Sequence, residues 1–125
     1  MIFDTDVLIW LFRGDPAAAQ MVQTQPEREM SIISLMELLQ GARSREESRQ
    51  VRSFLVENEF AVIPVDEPIS YRAAALIEEH ASSGGLQVAD ALIAATTLER
   101  GATLATANAR HFRAVPKLRL KIFRP

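Results

Sequence analysis

Two hydrophobic periods alternate along this chain. Short apolar runs, which are typical of buried strands, occur at MIF, EMSII, FAVIPV and TLAT. Between them, apolar residues recur at helical spacing in DVLIWLFRG, LMELLQGA, REESRQVRSFLVEN and LQVADALIAATTLERG. LRLKIF, close to the C-terminus, alternates as a half-exposed strand does. The pattern predicts an α/β fold with a central, mainly parallel sheet of four to five strands flanked by helices.

Capping and turn residues set the expected helix boundaries. Helices are expected to begin at three favoured starting sites, which are Asp15-Pro16, the residue after Ser34, and Pro68. Helices are expected to end at glycines, which are Gly14, the SSGG segment at 82–85, and Gly101. No linker or repeat separates these elements, so residues 1–125 are predicted to form a single domain.

The composition is that of an ordinary globular domain without disulfides. Of the 125 residues, 48% are hydrophobic, 24% are charged and none is cysteine, which excludes a disulfide framework and a thiolate metal site. The start lacks the pattern of a signal peptide, and no apolar run approaches transmembrane length. We therefore expect a cytoplasmic protein that does not interact with membranes.

Charge is divided unevenly along the chain, although the formal net charge is only −2. Residues 1–100 hold eight Lys and Arg against all sixteen Asp and Glu, a balance of −8, whereas residues 101–125 hold six Lys and Arg and no acid, a balance of +6. Such a basic segment suits an anionic polymer. A solvated basic edge that keeps a terminal strand from aggregating explains the same charges about equally well.

Asp4 and Asp6 follow the first predicted strand, in FDTDVL, among residues that are otherwise almost all apolar. Parallel α/β folds place ligands outside the carboxyl ends of their strands, and Asn108 follows the fourth strand at the same edge. Helix formation alone also accounts for both aspartates, with Asp4 as an N-cap and Asp6 as a first-turn acid that complements the helix dipole.

Glu37 and Asp90 differ in how well helix capping accounts for them. Glu37 stands three residues after Ser34, the spacing of a capping box, and SREE at 44–47 repeats this pattern. Asp90 is expected in a helix interior, on an apolar stripe and with no cap to make. A carboxylate there is costly unless it is paired or binds a cation, so Asp90 is the most informative residue of the chain.

Four segments together resemble the PIN-domain ribonucleases and, within them, the VapC toxins of bacterial toxin–antitoxin pairs. These segments are FDTDVLI, SIISLMELLQGA, VADALIAATTLERGATLAT and TANARHF, in the order and spacing of the family and across essentially the whole chain. The resemblance implies a PIN-like sandwich with an acidic crevice at the strand ends. It also implies that the protein hydrolyses RNA phosphodiester bonds, while the choice of RNA, transfer RNA or ribosomal RNA included, stays open.

The resemblance also implies a metal site. Asp4, Glu37 and Asp90 match the family residues that hold Mg²⁺ or Mn²⁺, an ion that would polarise the phosphate and acidify water. The family more often has Asn or Ser at the position of Asp6, so this residue adds negative charge there.

The fourth acid that many family members carry is missing from this chain. Its two matching positions hold Asn108 and His111. The number of metal ions therefore stays open, and Thr106 or Asn108 would contribute through water.

The basic residues that follow the fourth predicted strand are candidates for RNA binding. Arg110, His111 and Arg113 lie near the predicted crevice, where they would contact phosphates and make binding fall steeply with salt. A surface role without RNA is the alternative for His111, and a structural role is expected for His80.

The run VLIWLF at residues 7–12 is more apolar than one buried helix stripe requires. Either the core buries all of it, or part of it meets another surface. The resemblance implies two partners for such a surface. One is a second copy of the chain, giving a homodimer, and the other is a cognate VapB-type antitoxin that covers the crevice.

Three other functions compete with this interpretation. A PIN fold without activity that binds RNA or protein is suggested by the missing fourth acid. A phosphatase of the haloacid-dehalogenase type is suggested by the D-x-D opening, but residues 101–125 lack the distal acid pair it needs. A receiver-like signalling domain would use Asp4, Asp6 and Asp66, and it leaves Asp90 unexplained.

Overall fold

A computed structural model describes residues 1–80 and 85–125 of the chain. Five strands form one sheet in the order β3-β2-β1-β4-β5, and every neighbouring pair is parallel. The strands are β1 (Ile2–Phe3), β2 (Arg28–Ser31), β3 (Phe60–Ile63), β4 (Thr103–Thr106) and β5 (Arg119–Ile122). This confirms the predicted parallel α/β fold, with β1 at the centre.

Helices connect the strands as parallel crossovers. They are α1 (Thr5–Phe12), α2 (Pro16–Gln23), α3 (Ile32–Gly41), α4 (Arg45–Glu57), α5 (Glu67–His80), α6 (Val88–Glu99) and α7 (Ala109–Phe112). The four-residue α7 has no counterpart in the predicted elements, because it is too short to show a hydrophobic period. Within the described ranges, no helix combines the length and the apolar character that crossing a bilayer would demand.

Hydrophobic residues are buried on both faces of the sheet. Successive strand residues point to opposite faces, so Phe3 and Ala105 belong to one core while Ile2 and Leu104 belong to the other. The first core packs against α1 to α4, and the second packs against α5, α6 and α7. This two-sided burial explains why the central strand β1 is apolar at both of its positions.

Several predicted helix boundaries are confirmed. The Asp15 carboxylate accepts a hydrogen bond of 2.9 Å from the Ala18 amide, and Pro16 opens α2. Gly14 and Gly101 adopt positive φ values of 80° and 60° directly after α1 and α6, where a residue with a Cβ would be strained. Of the predicted SSGG break, residues 82–84 lie outside the described part of the chain.

The predicted boundary between the second strand and the third helix is wrong. Ile32 and Ile33 belong to α3, whose N-cap is Ser31 and not Ser34. Ser34 therefore lies inside the helix, and no capping box joins it to Glu37. The apolar pair Ile32-Ile33 continues the strand pattern past the point where the backbone already turns, which is why periodicity misplaced this boundary.

The same S-x-x-E spacing does mark a helix start at α4. The Ser44 hydroxyl accepts a hydrogen bond of 3.1 Å from the Glu47 amide, and the Glu47 carboxylate accepts one from the Arg43 amide. The pattern is therefore a capping signal at residues 44–47 and a coincidence at residues 34–37.

Replacing Ser31 with alanine is expected to destabilise the protein more than replacing Ser44. Ser31 is fully buried and accepts a hydrogen bond of 3.0 Å from the Ile33 amide, so its loss leaves a partly buried donor without its partner. We expect the free energy of unfolding to fall by about 1–2 kcal/mol in Ser31→Ala, measured by urea denaturation. The exposed cap Ser44→Ala is the matched control, and a larger loss there would contradict this account.

Candidate metal and active site

Three of the predicted acidic residues reach the carboxyl edge of the sheet from different elements. Asp4 follows β1, while α3, which carries Glu37, begins where β2 ends. Asp90 lies in the first turn of α6, whose far end leads into the amino end of β4, so this first turn also lies at the carboxyl edge. The crossover connections bring these side chains to one crevice because parallel strands end on the same side.

Asp4 is a helix cap and a member of this crevice at the same time. Its Oδ1 accepts a hydrogen bond of 2.8 Å from the Thr5 amide at the start of α1. Its Oδ2 accepts one of 2.8 Å from the Thr106 hydroxyl at the end of β4. Only 7% of Asp4 is exposed, so both carboxylate oxygens are fixed in a largely dry environment.

The environment of Asp4 disfavours its charged form. The pKa of Asp4 is raised from its ordinary value of 3.8 to about 7, chiefly by burial and then by the neighbouring Asp6 carboxylate. The hydrogen bonds from Thr106 and Thr5 oppose this rise, and the Asp90 carboxylate contributes to it. A carboxyl group with such a pKa gains from a nearby cation, because the cation stabilises the ionised form.

Asp6 fastens α1 to the loop between β4 and α7. Its Oδ2 accepts hydrogen bonds of 3.1 Å from the Ala107 amide and 3.1 Å from the Asn108 side-chain amide. Its Oδ1 is buried and has no hydrogen-bond partner in the described part of the chain. Burial raises the pKa of Asp6, whereas the Ala107 amide lowers it. Asp6 does lie in the first turn of α1, but its contacts across the sheet show that it is more than a first-turn acid that complements the helix dipole.

Glu37 is exposed, and the Thr5 side chain holds it. The Thr5 hydroxyl donates a hydrogen bond of 2.7 Å to Glu37 Oε1, and it also lies 2.9 Å from the buried Ser34 hydroxyl. A carboxylate oxygen only accepts, so the single Thr5 proton points to Glu37 and Ser34 donates to Thr5. Neither role is visible in the sequence, because these hydrogen bonds join Thr5 to residues 29 and 32 positions away.

Asp90 occupies the third position of α6 and not a helix interior as predicted. Burial raises the pKa of Asp90, His111 lowers it, and the charge of Glu37 raises it. The Gln87 backbone amide also lowers it through a hydrogen bond, which resembles half of a capping box. His111 Nδ1 lies 3.6 Å from Asp90 Oδ2. Asp90 therefore has partial local partners but stays 18% exposed at the crevice.

The remaining predicted residues surround the same crevice. Asn108 stands at the start of α7, and its backbone amide donates a hydrogen bond of 3.0 Å to the Thr106 hydroxyl. Thr106 is fully buried. Arg110, His111 and Arg113 lie on or directly after α7 and are exposed. Of these three, His111 contacts an acid of the crevice.

The acids of the crevice influence one another through their charges, although they do not form a compact cluster of metal ligands. Across residues 1–80 and 85–125, no three Asp, Glu, His or Cys side chains are grouped closely enough to hold one metal ion. The charges nevertheless act on each other, since Asp6 and Asp90 raise the pKa of Asp4, and Glu37 raises that of Asp90. The predicted cage of three carboxylates around one ion therefore stays a prediction.

The chemistry of the donors fits a hydrated divalent cation. All are hard oxygen ligands, and Mg²⁺ keeps several of its waters and needs only one or two carboxylates. The buried Asp6 Oδ1 without a hydrogen-bond partner is a further negative site that a cation would stabilise. Asp4, Glu37 and Asp90, with Asp6 beside them, are the residues that would hold Mg²⁺ or Mn²⁺.

The fold and the crevice define the class of this protein, a parallel α/β sandwich with acidic side chains at the carboxyl edge of its sheet. The chain belongs to the PIN domain family, whose sequence model matches residues 1–118. This confirms the predicted resemblance to PIN-domain proteins. It also leaves the phosphatase and receiver alternatives without support.

Solved structures of toxin–antitoxin proteins share this fold. A chain of a toxin–antitoxin complex from Klebsiella pneumoniae is 31% identical, with a TM-score of 0.79 over 94% of this chain and 93% of that chain. A chain of VapBC-1 from nontypeable Haemophilus influenzae is 26% identical, with a TM-score of 0.80 over 98% of both. VapBC2 from Rickettsia felis, bound to a promoter DNA fragment, has a TM-score of 0.84 at 20% identity over 99% of this chain and 100% of that chain, a likeness of fold alone. Comparison with curated proteins finds no match.

Proposed function

We propose that this protein is a VapC-type toxin, an endoribonuclease that hydrolyses RNA phosphodiester bonds with Mg²⁺ or Mn²⁺. The observation that carries the proposal is the buried Asp4, whose pKa of about 7 reflects burial and the charges of Asp6 and Asp90. This accumulation of charge does not serve the stability of the fold. It is suited to a divalent cation.

Each side chain has a distinct task in the proposed reaction. Mg²⁺ or Mn²⁺ at this crevice would neutralise phosphate charge and lower the pKa of an attacking water. Asp4 is pre-positioned by the Thr5 amide and the Thr106 hydroxyl, so its oxygens need no rearrangement when the ion binds. Thr5 orients Glu37 in the same way. Asp90, with His111 at its side, would complete the set from α6.

RNA would approach along α7. Arg110, His111 and Arg113 are exposed next to the crevice and are suited to contact phosphate oxygens. These contacts would hold the strand without reading its bases. The sequence that is cut would then depend on other parts of the crevice.

A groove beside the crevice suits a VapB-type antitoxin as the inhibitory partner. It has a volume of about 590 Å³, and Ile9, Phe12, Leu38 and Phe54 line its apolar part, with Glu37 at its edge. Within the VLIWLF run, Leu11 is buried, whereas Ile9 is 37% exposed and therefore free for such a contact. The Klebsiella pneumoniae relative was solved as a toxin–antitoxin complex. A homodimer and a cytoplasmic location belong to the same proposal.

Removal of divalent ions tests the activity directly. We expect the purified protein to cleave RNA in Mg²⁺ or Mn²⁺, to stop in EDTA, and to recover when the ion is restored, because the acids repel phosphate without it. Gel analysis and sequencing of the new RNA ends would measure this and identify the cleaved bond. Cleavage that continues in EDTA would contradict the metal-dependent mechanism.

A second candidate is a PIN-fold module that binds RNA or protein without cleaving it. Two observations favour it, namely that neither Asn108 nor His111 supplies the fourth acid that the family resemblance implies, and that no three acids of the described residues are grouped closely enough to hold one ion. Such a module would bind labelled RNA but show no turnover at any Mg²⁺ or Mn²⁺ concentration. The two candidates are therefore separated by one metal titration.

A further inference from the structure

The six cations of residues 101–125 form an exposed surface that the proposed active site only partly uses. We call them the C-terminal basic stripe, and they are Arg110, Arg113, Lys117, Arg119, Lys121 and Arg124. In the described part of the chain, none of them lies within 4.0 Å of a carboxylate. Four arginines of residues 1–100 do have such partners, and these are Arg43, Arg49, Arg72 and Arg100. The positive charge of the stripe is therefore not neutralised within the protein.

The stripe follows an edge of the sheet. β5 is an edge strand, in which Arg119 is level with Thr103 and Lys121 is level with Ala105 of β4. Arg119 and Lys121 are two residues apart, so they lie on one face of β5 with a separation of about 7 Å along the strand. The strand thus carries cations from the amino edge of the sheet towards its carboxyl edge.

The carboxyl end of the stripe reaches the crevice. The Phe123 amide donates a hydrogen bond of 2.9 Å to the Thr106 carbonyl, so Arg124 follows directly at the edge where Asp4 lies. Arg110 lies on α7 and Arg113 directly after it, in the segment that connects β4 to β5, and Asn108 stands at the start of this helix. Cations therefore lie beside the crevice on and after α7, and further cations follow β5 from Arg119 at its amino end to Arg124 just beyond its carboxyl end.

The chemistry of this surface favours a nucleic-acid backbone. Phosphate binding requires only exposed cations, whereas protein interfaces are anchored by buried aromatic and apolar groups. Within residues 101–125, Ile122 is the one large apolar residue counted as exposed, at 36%. An acidic protein partner would find little apolar surface to bury here.

We propose, resting on the ribonuclease function proposed above, that the C-terminal basic stripe binds RNA phosphates outside the crevice. The substrate is then a long or folded RNA that lies across the crevice and along β5. A short oligonucleotide that fills only the crevice does not reach Lys117, Arg119 or Lys121. The stripe thereby selects RNA by its extent and not by its base sequence.

Binding measurements on a full-length Asp90→Asn background test the proposal without cleavage of the probe. The test variant is Lys117→Gln/Lys121→Gln, and the matched control is Arg45→Gln/Arg52→Gln, which removes two exposed charges from α4. The probes are a fluorescein-labelled RNA hairpin of about 40 nucleotides and a single strand of about six nucleotides, a length comparable to one small single-strand site. Fluorescence anisotropy over a salt series gives the Kd and its salt dependence.

Compared with the Asp90→Asn protein, we expect the test variant to bind the hairpin about 10-fold more weakly and to bind the short strand equally well. The slope of log K against log salt is expected to fall by about 1.4 to 1.8, because two phosphate contacts are lost. The control pair is expected to leave both probes unchanged. Equal binding of the hairpin by the test variant, or an equal loss with the control pair, would overturn the proposal.

A duplex DNA of the same length distinguishes the two kinds of nucleic acid. If the test variant loses DNA binding while RNA binding is kept, the stripe faces DNA and the RNA assignment is wrong. Because these measurements need no turnover, they stand apart from the proposed enzymatic activity. Absence of cleavage by the parent protein would overturn that activity alone.

Discussion

Replacement of Asp90 by asparagine is expected to reduce metal-dependent RNA cleavage at least about 100-fold, equivalent to a loss of about 2.7 kcal/mol of transition-state stabilisation. The amide keeps the size of the side chain but removes the negative charge that would help to hold the ion. Its oxygen still accepts the hydrogen bond from the Gln87 amide, so α6 is expected to keep its start. Initial rates on one RNA at saturating Mg²⁺ would measure the loss.

Glu57→Gln is the matched control for this experiment. Glu57 is an exposed acid at the end of α4, close to the amino edge of β3 and thus on the side of the sheet opposite to the crevice. The Glu57→Gln variant should cleave RNA at the same rate as the parent protein. If Asp90→Asn also cleaves at the parental rate, Asp90 has no part in catalysis and the active-site assignment fails.

The metal-free protein is expected to lose stability as the pH rises from about 4 to about 7, through the contribution of Asp4. In the unfolded chain Asp4 ionises near 3.8, whereas burial and Asp6 raise its pKa to about 7 in the folded state. Between these values the folded state binds more protons than the unfolded state, so the stability falls with rising pH. The contribution is on the order of 1 kcal/mol for each pH unit within this window.

Asp4→Asn isolates this contribution. Asparagine is a favoured N-cap, so α1 keeps its capping bond from the Thr5 amide, while the buried charge is gone. Chemical denaturation in EDTA at pH 5 and pH 8 should show that the variant loses less stability than the parent between these values. At pH 8, Mg²⁺ should stabilise the parent and have little effect on Asp4→Asn. Identical pH profiles for the two proteins would contradict the origin assigned to the Asp4 pKa.

The same residue therefore stabilises a helix and destabilises the fold. Asp4 satisfies the first amide of α1 and the Thr106 hydroxyl, but its ionised form is costly where it lies. Local strain of this kind is concentrated at functional sites, where a ligand relieves it. The capping explanation and the metal-site explanation of Asp4 are thus compatible.

Glu37 shows where pattern reasoning favoured the wrong explanation. The S-x-x-E spacing offered a complete local account, and the structure replaces it with a hydrogen bond from Thr5, thirty-two residues away. At Ser44 and Glu47 the identical spacing does form a cap. A four-residue pattern cannot distinguish these cases, since the position of the preceding strand end decides whether Ser34 is at the start of the helix or inside it.

The amino-acid sequence by itself determined the α/β class, the positions of most strands and helices, and the presence of an acid directly after the first strand. It placed Asp90 in a helix, but in the interior and not in the first turn where the structure has it. These features are local, because apolar periodicity and capping residues act within a few positions of one another. Only the tertiary structure decided that Asp6 reaches Asn108, that Thr5 holds Glu37, and that burial raises the pKa of Asp4. Such contacts depend on the order and register of the strands, and the desolvation of Asp4 depends on all the elements that pack around it. Neither the contacts nor the desolvation can be read from the spacing of neighbouring residues.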